Sequence, residues 1–118
     1  MLVNCTNHPV AKWEDTQVVA AERFGKIIDL PFPAVYPYAT TNEIVNLADL
    51  ICKQIIAAGA ATVLCQGEAT LTFQLVSKLK SKGIKVIAAC SRRQANTEMA
   101  CGTITKLSVY KFIQFREY

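Results

Sequence analysis

Three apolar runs of the chain end in a cysteine, and a short segment suited to chemistry follows each of them. The segments are Thr6, Asn7 and His8 after the first run, Gln66, Gly67 and Glu68 after the second, and Ser91, Arg92 and Arg93 after the third. Guanidinium groups bind phosphate through paired hydrogen bonds, whereas imidazole and carboxylate groups transfer protons. If the fold brings the segments together, they predict a site for a phosphorylated ligand.

Each segment alone also has an ordinary structural explanation. Thr, Asn and Ser after a strand commonly form turns or cap helices. Gly67 fits a tight turn, and the sequence QGEAT around it lacks the glycine pattern of a phosphate-binding loop. His8 beside Pro9 fits an exposed position, and Arg92 and Arg93 fit a solvated basic turn. The prediction of a site therefore depends on the three segments converging.

The elements that would position these segments alternate between strand and helix. Apolar runs predict strands at 1–5, 26–30, 61–66 and 84–90, and helical periodicity predicts helices at 13–24, 40–58 and 69–81. Thr40 and Glu43 form a capping box at the start of the second helix. Strands that are apolar on both faces indicate a mainly parallel sheet covered by helices, so we expect an α/β fold, a Rossmann-like three-layer sandwich. The carboxyl ends of its strands meet at one edge, where a ligand crevice forms.

The C-terminal residues 97–118 are rich in β-branched and aromatic side chains and predict a terminal β-hairpin. Its turn would lie near Cys101 and Gly102, and its last strand would form the sheet edge. Aromatic side chains recur along that strand at Tyr110, Phe112, Phe115 and Tyr118. This aromatic edge favours a homodimer, or else it packs against the chain's own helices. Both readings stay open from the sequence.

Composition limits the class of protein. The chain has 118 residues, of which 52% are hydrophobic, and this predicts a single domain. It shows neither a signal sequence nor an apolar run of membrane-spanning length, so we expect a cytoplasmic protein with no membrane partner. Five cysteines without a C-x-x-C pair favour free, mostly buried thiols, and we expect no metal site and no cofactor.

The charge is distributed unevenly along the chain. Residues 69–118 carry nine basic and two acidic side chains, whereas residues 1–68 carry four basic and seven acidic ones. A polyanionic ligand would explain this excess. The lysines between 78 and 85 have a second explanation, because cations near a helix C-terminus offset the helix dipole.

The first strand also carries a family resemblance. Asn4, Cys5 and Thr6 resemble the [DN]-x-[ST] signature of CRISPR-associated Rossmann-fold (CARF) domains, which bind cyclic oligoadenylate messengers at a dimer interface. The small size, and the run into Asn7, His8 and Pro9, are similar to stand-alone CARF-like proteins of type III CRISPR loci, some of which are ring nucleases. A basic residue follows in the fuller family signature, and Lys12 lies further along here.

The resemblance implies a homodimer that binds a cyclic oligoadenylate and no DNA. Ring cleavage would proceed by attack of a ribose 2′-hydroxyl, with no metal ion needed. The implied ligand-binding residues are Asn4, Thr6, Asn7, Gln66, Gly67, Ser91 and Arg93, and the implied catalytic residues are His8, Arg92 and Glu68. We expect no fused effector nuclease domain, so the protein would bind, cleave or sequester the messenger and would not degrade RNA itself.

Two other functions remain open from the residues. The same crevice could capture a nucleotide without cleaving it, as a sensor or sponge does. Alternatively, a small Rossmann-like enzyme could act there on another phosphorylated ligand, because one fold hosts many activities. A dinucleotide oxidoreductase is disfavoured, since the sequence CTNHPV after the first strand has no glycine-rich fingerprint.

Overall fold

The structure, a computed structural model, describes residues 1–100 and 103–118, and of these it describes residues 94–100 and 103–108 through their backbone only. The strands are β1 (Leu2–Cys5), β2 (Ile27–Asp29), β3 (Thr62–Cys65), β4 (Lys85–Ala100) and β5 (Thr103–Glu117). The helices are α1 (Asp15–Glu22), α2 (Thr41–Ala57) and α3 (Ala69–Ser81), and a short 3-10 turn at Val10–Lys12 precedes α1. Strand and helix alternate along the chain up to β4, as the sequence predicts.

The five strands form one mixed sheet in the order β2-β1-β3-β4-β5. The pairs β1–β2, β1–β3 and β3–β4 are parallel, whereas β4 and β5 are antiparallel. From β1 the chain passes through α1 to β2 on one side, and it then crosses back through α2 to β3 on the other side. The strand order therefore reverses at β1, and the expected α/β class with a mainly parallel sheet is confirmed.

Alternate residues of the strands pack into two hydrophobic cores, one on each face of the sheet. Val3, Val63 and Val86 pack with the buried residues of α2 and α3. Leu2, Leu64 and Ile87 pack on the opposite face with Ala21 of α1 and other side chains. This two-sided burial explains why the central strands read as continuous apolar runs.

The end predicted for β4 is wrong. The strand pairs with β3 only over Lys85–Ile87, but its pairing with β5 continues to Ala100. Because β5 supplies hydrogen-bonding partners beyond the end of β3, Ser91, Arg92 and Arg93 lie inside a long strand and not in a turn after it. The predicted turn at Cys101 and Gly102 lies outside the described residues.

The helices follow their local signals with one exception. Thr40 Oγ1 accepts from the Glu43 N–H at 3.2 Å and caps α2, although the Glu43 carboxylate accepts from the Thr40 hydroxyl at 3.3 Å and does not complete a capping box. The helix α3 has the bounds predicted for it. The helix α1 begins two residues later than predicted, because Trp13 ends the 3-10 turn and extended Glu14 is the N-cap.

Two of the four aromatic residues predicted for the C-terminal edge pack inside the protein. Phe112 is buried, and the Phe115 ring lies 4.8 Å from the Phe112 ring and 6.1 Å from the Phe24 ring. Tyr110 and Tyr118 remain exposed. Packing against the chain's own elements thus accounts for part of the aromatic edge. Among the described residues, no helix is long and apolar enough to span a membrane.

Candidate functional site

The Asn4 side chain, on β1, organises the loop that follows this strand. It is 1% exposed, and its amide nitrogen donates to Asp29 Oδ1 at 2.8 Å and to the His8 carbonyl at 2.9 Å. Its carbonyl oxygen accepts from the Thr6 hydroxyl at 2.8 Å. Because its amide is fully engaged with the protein, Asn4 supports the loop from beneath.

Further hydrogen bonds fix the loop between β1 and α1. Thr6 Oγ1 accepts from the His8 N–H at 3.1 Å, and Asp29 Oδ1 accepts from the Val10 N–H at 3.2 Å. The Trp13 indole N–H donates to the His8 carbonyl at 2.9 Å. The His8 backbone is therefore held firmly, while the residue is exposed and its imidazole is available to a ligand.

The Gln66 side chain extends the pairing between β3 and β4 after β3 ends. Its Oε1 accepts from the Ala89 N–H at 2.8 Å, and its Nε2 donates to the Ala89 carbonyl at 3.3 Å. The Gln66 side-chain amide thus makes the two hydrogen bonds to β4 that the backbone of a further β3 residue would make. Its polar atoms bind β4, so Gln66 shapes the site more than it offers hydrogen bonds to a ligand.

Gly67 lies directly against the ring of Phe32. A Cβ atom at this position would lie 2.5 Å from ring carbons of Phe32, and Phe32 is buried. Only glycine fits this close approach without displacing the ring. The glycine at position 67 therefore has a packing cause, the close approach of the Phe32 ring, and not a positive φ angle.

A cavity of about 600 Å³ opens at the carboxyl ends of the parallel strands, and we call it the strand-end cavity. It is lined by Thr6, Asn7, His8, Lys12, Trp13, Glu14, Gln17, Leu64, Gln66, Gly67, Ala89, Ser91, Tyr110 and Phe112. It lies beside the reversal of strand order between β1 and β3, where open α/β sheets commonly bind ligands. Its volume is within the range of roughly 300–1,000 Å³ for small-molecule sites.

The structure brings together six of the ten residues predicted for the site. The six that line the strand-end cavity are Thr6, Asn7, His8, Gln66, Gly67 and Ser91. Asn4 is buried below it, and Glu68, Arg92 and Arg93 are not among the lining residues. The three segments thus meet at one cavity, but the charged side chains predicted for the site at Glu68, Arg92 and Arg93 do not line it.

Glu68 is the N-cap of α3. Its carboxylate accepts from the Thr70 N–H at 3.0 Å, from the Leu71 N–H at 2.9 Å and from the Thr70 hydroxyl. The Thr70 hydroxyl, followed by the two backbone N–H groups, lowers the pKa of Glu68 below its ordinary value. A carboxylate held ionised in this way is a poor proton donor near neutral pH.

The two arginines of the third segment lie on opposite faces of the β4–β5 ribbon. Arg93 is the Cα partner of Tyr110, and Ser91 is the partner of Phe112. Because side chains alternate along a strand, Arg93 lies on the cavity face with Ser91, whereas Arg92 lies on the other face with its partner Lys111. Only Arg93 is therefore placed to approach a ligand from the cavity rim.

Several polar and aromatic lining residues were not predicted as site residues. They are Lys12, Trp13, Glu14, Gln17, Tyr110 and Phe112. The helical spacing of Trp13 and Gln17 and the period-two spacing of Tyr110 and Phe112 were signals in the sequence that each pair shares a face. Glu14 Oε1 also accepts from the Phe112 N–H at 3.4 Å and joins α1 to β5 across one wall.

The described cysteines do not line the strand-end cavity, and those that are buried are packing residues. Cys5 and Cys65 are Cα partners on β1 and β3, and both are fully buried. The hydrogen bond with Cys5, together with burial, raises the pKa of Cys65, which keeps it a neutral thiol. Cys52 is also a buried free thiol and Cys90 is half-buried, while Cys101 lies outside the described residues.

Within the part of the chain that the structure describes, no three metal-ligating side chains lie close enough together to hold a metal ion. The strand-end cavity instead combines aromatic side chains with the cation of Lys12 and the imidazole of His8. Aromatic faces stack on nucleobases and cations attract phosphate. Its chemistry therefore suits a nucleotide better than a purely apolar ligand.

The chain was also compared with known proteins. Residues 1–116 match the family described as "Uncharacterized protein MJ1673 family", so the chain belongs to that family. No curated protein and no solved structure matches it. The family description assigns no chemistry, and the argument for function therefore depends on the site.

Proposed function

We propose that this protein has a Rossmann-like, CARF-type fold and binds a cyclic oligoadenylate messenger of type III CRISPR defence in the strand-end cavity. The observation that carries the proposal is the lining of this cavity: Trp13, Tyr110 and Phe112 occur together with Lys12 and His8 at the reversal of strand order. The signature-like Thr6 lines the cavity and Asn4 is buried below it, and both hold the loop that carries His8.

The ligand's chemistry matches these groups. Adenine bases stack on aromatic rings, and of these rings that of Tyr110 is the most accessible because Tyr110 is 63% exposed. Lys12 would neutralise the phosphodiester, and Asn7 and Ser91 would hydrogen-bond its oxygens or the ribose. Arg93, on the same face of the ribbon, adds a second cation at the rim.

A cyclic oligoadenylate with an even number of units has twofold symmetry, and two copies of one basic cavity match it. One cavity of this size would hold part of the ring, and the partner in a homodimer would hold the rest. The proposal places the protein in the cytoplasm, where such a messenger is made and read.

Ring cleavage is a second candidate, favoured by His8 alone among the predicted catalytic residues. In this step a ribose 2′-oxygen forms a bond to the adjacent phosphorus, the bond from phosphorus to the 5′-oxygen breaks, and the leaving 5′-oxygen takes a proton from water, so the products are a 2′,3′-cyclic phosphate and a 5′-hydroxyl. His8 would accept the 2′-hydroxyl proton, and Lys12 would stabilise the added charge. Capture without cleavage, as in a sensor or sponge, needs neither role.

The test is calorimetric titration of the full chain with cyclic tri-, tetra- and hexa-adenylate in EDTA, followed by chromatography of the ligand. Tyr110→Ala removes one cavity ring, and Tyr36→Ala is its control because Tyr36 is 66% exposed and does not line the cavity. We expect saturable binding that Tyr110→Ala weakens by about tenfold or more, since stacking contributes ~1–3 kcal/mol per base. Tyr36→Ala should bind as the wild type does.

The outcomes separate the candidate functions. Linear products in molar excess over protein that His8→Ala abolishes would support the ring nuclease, and binding without products would support the sensor or sponge. Binding of a mononucleotide or sugar phosphate, with no response to any cyclic oligoadenylate, would favour the small enzyme of other chemistry. No binding of any of these ligands would refute the proposal.

A further inference from the structure

The face of the β4–β5 ribbon that points away from the strand-end cavity carries several cations. Arg92 and Lys111 lie on this face because Ser91 and Phe112, their chain neighbours, line the cavity. Arg116 lies on it as well, because Phe115 packs into the opposite core beside α1. All three cationic residues are exposed.

Two of these cations are placed directly against each other. Arg92 and Lys111 are Cα partners in an antiparallel pair, an arrangement in which like charges repel. Among the described residues, the ion pairs of Lys78 with Asp49 and of Lys85 with Glu117 do not involve Arg92, Lys111 or Arg116. A negatively charged partner would relieve this repulsion.

The helix α3 borders the same face with apolar side chains and one more cation. Phe73, Val76 and Lys80 lie on one stripe of α3 by their spacing of three and four residues. Lys80 Nζ donates to the Tyr118 carbonyl at 2.6 Å, which places the stripe beside the end of β5. Phe73 is 68% exposed, so its ring is accessible to a ligand.

A second cavity, of about 400 Å³, lies between α3 and Tyr118, the residue after β5, and it shares Gln66 and Gly67 with the strand-end cavity. Phe73, Val76 and Tyr118 line it together with Thr72, whose buried Oγ1 has no hydrogen-bond partner among the described residues. The Tyr118 hydroxyl donates to the Cys65 carbonyl at 2.7 Å and fixes its ring as one wall. The cavity thus offers exposed aromatic surface and an unused hydroxyl beside a line of cations.

We propose that this α3–β5 face, defined by Arg92, Lys111, Arg116, Lys80, Phe73 and Tyr118, binds a single-stranded polynucleotide independently of the strand-end cavity. The cations would contact successive phosphates, and Phe73 and Tyr118 would stack on bases. Proteins that bind single strands without sequence preference combine these two elements. From Lys111 to Tyr118 the strand extends for roughly 20 Å, enough for several nucleotides.

The experiment is fluorescence anisotropy of the full chain with labelled oligouridine and oligodeoxythymidine, measured over a range of salt concentrations. The double variant Arg92→Glu and Lys111→Glu reverses the paired cations. The matched control, Arg23→Glu and Lys26→Glu, reverses two exposed cations at the other edge of the sheet beside β2. The variant Phe73→Ala tests stacking without any change in charge.

We expect the wild type and the control to bind alike. The ribbon variant should bind at least tenfold more weakly, and its slope of log affinity against log salt should be smaller by about 1.4, or ~0.7 for each lost phosphate contact. Phe73→Ala should weaken binding by about tenfold at an unchanged salt slope. The RNA and DNA probes show which sugar the face prefers.

This inference would be overturned if neither probe bound at low salt, or if the ribbon variant and its control lost the same amount of affinity. It would also be overturned if saturating cyclic oligoadenylate competed with the polynucleotide. The fourth contradicting result would be a protein that anionic lipid vesicles retain but that binds no polynucleotide. A Lys12→Ala variant separates the two sites, since it weakens cyclic oligoadenylate binding and leaves the polynucleotide isotherm unchanged. The polynucleotide face therefore stands or fails independently of the proposed messenger site.

Discussion

Replacing Asn4 with Ala tests whether the buried amide network supports the loop that carries His8. The change removes three hydrogen bonds, to Asp29, to the His8 carbonyl and to Thr6. Two bonds between neutral groups contribute about 1 kcal/mol each, and the bond to a carboxylate contributes about 2 kcal/mol. The simple sum is about 4 kcal/mol.

Some of this loss is recovered by groups that stay in place. Asp29 keeps the Val10 N–H at 3.2 Å, and the Thr6 hydroxyl can donate to the His8 carbonyl, which lies 3.1 Å away. We therefore expect Asn4→Ala to lower the free energy of unfolding by about 2–3 kcal/mol. For a chain of this length, that corresponds to a fall of about 8–12 °C in Tm.

The assay is urea denaturation followed by the fluorescence of Trp13, which is the only tryptophan and donates to the His8 carbonyl. Asn46→Ala is the matched control, because Asn46 is exposed on α2. We expect the control to stay within about 0.5 kcal/mol of the wild type. If Asn4→Ala were as stable as the control, the network would not support the loop and the reasoning would be refuted.

Three further changes test other parts of the site. Gly67→Ala should destabilise the protein by ~1–3 kcal/mol, because its Cβ would overlap the Phe32 ring. Adding Phe32→Leu should recover part of this loss in thermal melts. If the losses of the two variants were additive, the packing argument would be contradicted. Gln66→Ala should lower the free energy of unfolding by about 2 kcal/mol and speed hydrogen exchange at the Ala89 amide. The exposed control Gln54→Ala should change neither quantity. Unchanged exchange in Gln66→Ala would show that the Gln66 amide does not bind β4. Because the pKa of Glu68 is lowered in the folded state, its carboxylate stabilises the protein fully above the ordinary pKa of 4.5, and this effect disappears as the pH falls through the folded-state pKa. The stability difference between wild type and Glu68→Gln, measured from urea midpoints, should therefore shrink on acidification. A difference that stays constant with pH would argue against the cap.

The local sequence is sufficient to predict α2 and α3. Thr40 caps α2 and apolar residues recur through α2 and α3 at helical spacing, so their positions depend on neighbours within one or two turns. The α/β class follows for the same reason, since the central strands are short, apolar on both faces and separated by these helices. The 3-10 turn before α1 was missed although its own hydrogen bonds are local, because its first N–H group, that of Val10, is bound by Asp29, which is distant in sequence.

The position of the arginines could not be predicted, because it depends on pairing between distant segments. The strand β4 continues past Cys90 only because β5 pairs with it, and the register shifts between Cys90 and Ser91. That bulge, with Ile113 as the extra residue on β5, decides which side chains face the cavity. The sequence shows that Arg92 and Arg93 are adjacent, but it does not show that they lie on opposite faces.

The Asn4 and Thr6 signature predicted where the cavity lies better than it predicted what these two residues bind. Both residues lie at the strand-end cavity, yet their hydrogen bonds are made within the protein, through Asp29 on β2 and through the loop backbone. A two-residue signature does not reveal such partners. The sequence also did not show that Trp13 and Tyr110 line the same cavity, because they come from opposite ends of the chain.

The most direct test of the proposed messenger site is titration of Trp13 fluorescence with cyclic tri-, tetra- and hexa-adenylate. Trp13 is the sole tryptophan and lines the strand-end cavity, so a base bound there must alter its emission. We predict a saturable change with at least one ring size, weakened by about tenfold or more in Tyr110→Ala and unaltered in Tyr36→Ala. Unchanged emission with all three rings in the folded wild type would contradict the assignment of this cavity.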